Sequence, residues 1–154
     1  MTLGTNLPVW PAIVFAYFEP VTTVIGFWAA VSDPTSFITR QLPSSYTTVT
    51  DVMPRTSIIL AYSLGSIFLL LAALNILCLV ISRDARVSRY YLVLLASADI
   101  GHMYANYKGM GPEVFWDFRN YNEMMIGNIW ITLFLFVNRV GTLAGIFGRL
   151  RALG

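Results

Sequence analysis

The chain is short of charge. Only 12% of its 154 residues are Asp, Glu, Lys or Arg, about half the ~25% usual in soluble domains. It has one cysteine, Cys78, and one histidine, His102. A lone cysteine excludes an internal disulfide and a cysteine-based zinc site. One histidine with scattered acids leaves too few converging ligands for a metal centre, so neither metal nor cofactor is expected. There is no basic run of the kind that grips nucleic acid, and the net charge is only +2. No internal repeat is visible, which argues against an alternating-access transporter built from repeats. Glycine-rich phosphate loops and dinucleotide fingerprints are missing. The "SLGS" around Ser63 sits in an apolar run without the strand-to-helix setting that a nucleophile elbow needs.

What the chain has is apolar surface. Hydrophobic residues make up 56% of it, and the mean hydropathy is +0.66. A chain this small cannot hide so much apolar area from water, because small domains keep much of their surface exposed. A bilayer removes the problem. The expectation is a single all-α polytopic membrane domain over residues 1–154, a bundle of four transmembrane helices. A span needs roughly 20 mainly apolar residues, and four segments qualify: 8–31, 57–82, 88–107 and 124–147. The first contains Glu19, is too long for the apolar region of a signal peptide and lacks a basic flank, so it is read as a span. Pro20 inside it should kink the helix and free a carbonyl near Ala16. "PTSFITRQL" is read as a short interfacial helix, "RDARV" (83–87) as a tight turn, and "KGMGPEVFWDFRNYNE" (108–123) as an aromatic segment in the headgroup layer. Gly141, Gly145 and Gly148 suggest a close-packing face, with Gly65 and Gly101 in similar roles. Lys and Arg density near the span ends favours both termini in the cytosol, in the endoplasmic reticulum or another endomembrane.

Within this apolar background the polar residues stand out. Glu19, Asp99, His102 and Arg139 fall inside spans, where each ionisable side chain costs about 2.5–3.5 kcal/mol to insert. At about 1.5 Å of rise per residue, alternating spans bring Glu19, Asp99 and Arg139 near one depth. His102 lies one turn beyond Asp99, on the same side at i+3 spacing. The charges are therefore expected to meet. One arginine neutralises one acid, and two acids are present. Either Arg139 forms a register-fixing ion pair, or the second acid keeps or shares a proton that acid catalysis could use. His102 is open to reading as an acid-orienting base or as a neutral hydrogen-bond donor between helices. Asn75, Asn128, Tyr17 and Trp130 are the candidate substrate-contacting residues.

"WPAIVFAYFEP", the "LP" at Leu42-Pro43, "ADIGH" and "GNIWITLFLFVNR" resemble the small four-span fungal membrane proteins grouped as a domain of unknown function, over nearly the whole chain. More loosely, the layout resembles the sterol-isomerase-like membrane fold and the integral membrane terpene cyclases of fungal meroterpenoid pathways. Those resemblances imply acid–base chemistry on a terpenoid, meroterpenoid or sterol-like substrate, without a cofactor, as part of specialised metabolism. The catalytic candidates are Glu19, Asp99, His102 and Arg139. The partners expected are membrane lipid, an apolar small molecule and other membrane-bound pathway enzymes, with no nucleic acid. A non-catalytic accessory or scaffold protein is the alternative.

Overall fold

A computed structural model describes residues 3–46 and 53–150. Among these the regular structure is entirely helical. Three helices are long and apolar enough to cross a membrane: α1 (Val9–Ser32), α3 (Arg55–Ile81) and α6 (Glu123–Leu143). The segment expected as the third span lies within α4 (Ala85–Met110), which at 26 residues is long enough but is broken by charge. Two short helices, α2 (Pro34–Thr39) and α5 (Pro112–Phe115), and two single 3₁₀ turns, Ser44–Tyr46 and Phe118–Asn120, fill the connections.

The helices pack in two pairs, α1 along α3 and α4 along α6. Their directions follow from contacts at the ends. The Asn6 amide donates to Ser82 O and Ser88 Oγ, and the Gly148 backbone lies against Pro8. The start of α1, the α3–α4 turn and the chain after α6 thus share one end of the bundle. At the other end Asn122 donates to the carbonyls of Arg40 and Leu42, and Arg40 pairs with Glu123. Thr5, Asn6 and Leu7 are buried at the first end, where the segment before α1 closes the bundle.

The helices expose many large apolar side chains, Ile25, Trp28, Leu60, Ile81 and Leu94 among them. The inner faces carry an apolar core around Phe15, Leu79, Leu92 and Leu135, together with small and polar groups. Gly65 lets α3 approach α1 closely, since a Cβ there would stand 3.0 Å from Val31 Cγ2, and Gly26 rests against the Phe68 ring in the same pair.

Several expectations need correction. α6 ends at Leu143 rather than 147, because Gly145 and Gly148 adopt left-handed backbone at φ 79° and 106°, a conformation that ends a helix. The Gly141/Gly145/Gly148 face is therefore not a helix–helix seam: a Cβ on Gly141 would meet the chain's own Phe147 at 2.9 Å. Gly101 has no neighbour within 4 Å of a Cβ position, so it is not a packing glycine. The 83–87 turn is shorter than expected, since Asp84 caps α4 by accepting from Arg86 N at 2.8 Å. The short helix expected at "PTSFITRQL" forms over Pro34–Thr39, with Asp33 accepting from Ser36 N. Residues 47–52 of the first loop and Arg151 of the basic tail lie outside the described residues.

Candidate functional site

Three helices each send one charged side chain to a common point inside the bundle. Arg139 on α6 donates from Nη2 to Glu19 Oε1 on α1 and from Nη1 to Asp99 Oδ2 on α4. Its guanidinium carbon stands 5.3 Å from the centre of the Phe15 ring, a cation–π contact. The arginine is fully buried, Glu19 is buried and Asp99 nearly so. The expectation of one paired and one leftover acid is revised. The planar guanidinium has donors on two edges, and its fork lets one arginine serve both carboxylates at once.

Local backbone explains how Glu19 and Arg139 come to face inward. Residues Ala12–Phe18 of α1 form a π-helical segment, in which N–H groups reach back five residues. Glu19 N bonds to Val14 O. This wider turn lies directly before Pro20, which has no N–H to give and would clash with the carbonyl four residues back in an ordinary α-ladder. The Glu19 carbonyl accepts from Thr22 Oγ1 at 2.9 Å and Thr23 Oγ1 at 2.6 Å. In α6 a second π segment, Gly127–Ile131, precedes Arg139. One inserted residue rotates everything after it by about 100°, so both segments set which face carries the charge.

The cluster is incompletely satisfied. Glu19 Oε2 and Arg139 Nε are buried without hydrogen-bond partners, and so are both amide atoms of Asn75. Tyr91 lies within electrostatic reach of Glu19 and Arg139, beside Asn75, and its hydroxyl donates to Leu71 O at 3.4 Å. Tyr91 and Phe15 belong to the same apolar core, with Leu79, Leu92 and Leu135 around them. The arrangement is a polar knot of two carboxylates and one guanidinium in an apolar surround. It can hold a proton or orient a small polar group. Among the described residues no three His, Cys, Asp or Glu side chains gather as a metal-binding set.

The other predicted residues are elsewhere. His102 lies near the Asn128 backbone and lines a groove with Gln41 and Asn106. The Asn128 amide donates to Gln41 Oε1 at 2.6 Å, so His102, Asn128 and Gln41 form a second polar group near the α2 end. Tyr17 is 52% exposed, with its hydroxyl on Leu3 O. Trp130 is 44% exposed and packs against Phe118. Asn75 reaches the buried region through Tyr91. Sequence reasoning missed Tyr91 and the Trp10–Asn138 bond, in which Trp10 Nε1 donates to Asn138 Oδ1 at 2.8 Å. Trp10 reads as an interfacial anchor from sequence, and only its distance to α6 reveals the bond. At the α2 end, burial and the nearby Asp117 carboxylate push the Tyr121 phenol above its ordinary range.

No curated protein and no solved structure matches this chain. The chain belongs to the family described as domain of unknown function (DUF7704), whose model matches residues 4–149.

Proposed function

We propose that this is a four-span integral membrane protein whose buried carboxylate–arginine centre performs acid–base chemistry on an apolar small molecule. The observation that carries this reading is the stoichiometry of the knot: two carboxylates on one guanidinium, with Glu19 Oε2 buried and unpartnered. A single proton on the pair balances its charge. A buried charge without balance is strongly destabilising, so the proton has a place waiting for it.

The chemistry follows from that proton. A carboxyl of the pair gives it to an alkene carbon or an epoxide oxygen. The resulting cation rearranges or closes a ring, and a neighbouring carbon loses a proton back to the same pair. The net change is isomerisation or cyclisation, with no cofactor consumed. Asp99 or Glu19 is the donor, and Arg139 holds the other carboxylate ionised. Phe15 offers a π face beside the centre. The substrate class is terpenoid, meroterpenoid or sterol-like, in fungal specialised metabolism. The setting is the endoplasmic reticulum or a related endomembrane, with both termini cytosolic and other pathway enzymes nearby.

The fourth span is supported by connectivity. α3 ends where Ser82 meets Asn6, and α6 begins where Asn122 meets Arg40. If α3 and α6 both cross, α4 must cross between them. Its 26 residues cover about 39 Å, and Asp99 enters already paired with Arg139.

A second reading, an accessory protein with a purely structural clamp, is favoured by one observation: Arg139 stitches α1, α4 and α6 together and is fully enclosed. The test separates the two. Metabolite profiles of a deletion strain identify the substrate. Microsomes carrying Asp99→Asn or Glu19→Gln at matched abundance are then assayed for its turnover. Acid–base chemistry predicts loss of roughly 10²–10⁴-fold in at least one variant. Unchanged turnover in both leaves the clamp as the better account.

A further inference from the structure

The end of the bundle around α2 carries a separate feature that the buried centre does not use. Between the segment after α2 and the segment before α6 lies an open cavity of about 560 Å³. Arg40, Ser44, Arg119, Asn120, Tyr121 and Asn122 line it, and among the described residues no carboxylate does. The walls come from parts of the chain about 80 residues apart and are fastened together. Asn122 Nδ2 donates to the carbonyls of Arg40 and Leu42, both at 3.0 Å, while its Oδ1 caps α6 by accepting from Met125 N.

The two arginines differ. Arg40 Nη2 is bonded at 2.6 Å to Glu123 on the rim. Arg119 is exposed and makes no ion pair among the described residues. The nearest acid on its own turn, Asp117, accepts from Asn120 Nδ2 at 2.6 Å. The cavity therefore presents two guanidiniums together with hydroxyl and amide groups. That set is suited to phosphate oxygens.

Its surroundings place it at the level of a lipid headgroup. A run of edge-to-face rings links Phe115, Trp116, Phe118 and Tyr121, with centroids 5.1 to 5.8 Å apart, and Trp130 joins it through Phe118. Such aromatic clusters sit at the membrane–water boundary. Exposed Trp116, Ile126 and Trp130 continue from the rim onto the apolar flank of α6, where acyl chains would lie.

We propose that this cavity binds the phosphate of an anionic phospholipid, with Arg119 as the main charged contact and Arg40 as the second. Paired guanidiniums with amide and hydroxyl donors beside them hold phosphate groups of this kind. The site is distinct from the carboxylate–arginine centre, and the proposal stands whether or not that centre is catalytic.

The test is thermal unfolding of the purified full chain in detergent, titrated with dioctanoyl phosphatidylglycerol, dioctanoyl phosphatidylcholine or inorganic phosphate. The expected result is a saturable rise in Tm with phosphatidylglycerol alone. Arg119→Gln should raise the half-saturating concentration about fivefold or more, and Arg119→Lys should restore most of the loss. Arg119 is exposed on a 3₁₀ turn, so its removal leaves folding intact, and an unchanged Tm without lipid verifies that. Identical titrations for Arg119→Gln and the parent protein overturn the proposal. So does an equal response to phosphatidylcholine, or saturation by inorganic phosphate at the same concentration.

Discussion

The molecule makes an arginine–carboxylate contact in two places, and the two are opposites. At the α2 end Arg40 meets Glu123, with side chains 45% and 84% exposed. In the bundle Arg139 meets Glu19 and Asp99, with side chains 1%, 9% and 14% exposed. The chemical groups are the same, and the solvent is not. Water screens the outer pair and solvates either partner alone, so such contacts contribute little. The inner knot is largely enclosed by the bundle, and each member is tolerable only because the others are present. The same bond is therefore incidental at one end and obligatory at the other.

The sharpest way to break that contrast is to remove the inner arginine. Arg139→Leu leaves two carboxylates facing each other in an apolar core. We expect destabilisation of about 3–5 kcal/mol, read as a collapse of the thermal midpoint in detergent or a failure to accumulate in membranes. Adding Glu19→Gln and Asp99→Asn to Arg139→Leu removes the charges altogether and should recover much of the loss. If the triple variant were no better than Arg139→Leu alone, packing around the arginine, including its stacking on Phe15, would outweigh its charge.

The contrast also shows what a linear sequence can reveal. Three of the long helices, α1, α3 and α6, were legible because each is a run of apolar residues of sufficient length, while α4 is long but interrupted by charge. Predicted 8–31 became Val9–Ser32 and predicted 57–82 became Arg55–Ile81. The meeting of Glu19, Asp99 and Arg139 was legible too, since alternating helices of known rise fix depth. Rotation was the missing quantity. Two π segments, Ala12–Phe18 and Gly127–Ile131, change the phase of α1 and α6, and no hydropathy pattern announces them. Hence Tyr17 and Trp130, which lie within those segments, turned outward. The Gly145 and Gly148 terminator was hidden for a related reason: those glycines lie in an apolar tract that reads as more helix, and their positive φ is visible only in the backbone. The burial of Asn6 against Ser82 and Ser88 depends on a contact across 76 to 82 residues, which no local pattern carries.

A middle-sized effect should appear in packing rather than charge. Gly65→Leu pushes a side chain into Val31 and Ala30 across the α1–α3 contact, and overpacking of this kind costs about 1–3 kcal/mol. Gly101→Leu faces open space on α4 and should change stability by less than about 0.5 kcal/mol. Thermal midpoints of the two variants in the same detergent test the pair. Equal shifts would mean that α1 and α3 are not held as closely as the Gly65 contact requires.

The smallest effect belongs to the outer pair, and it is the control that gives the first prediction its meaning. Glu123→Gln removes the acid bonded to Arg40 but leaves the arginine in contact with water. The Asn122 bonds that fasten the two segments at this end do not involve the carboxylate. The thermal midpoint should therefore stay within error of the parent protein, at both low and high salt, whereas Arg139→Leu should be severe at either. If Glu123→Gln instead lowered the midpoint substantially at low salt and not at high salt, the outer pair would be a true electrostatic fastener of the α2 end. The line between incidental and obligatory contacts would then have to be drawn by position in the fold rather than by exposure to water.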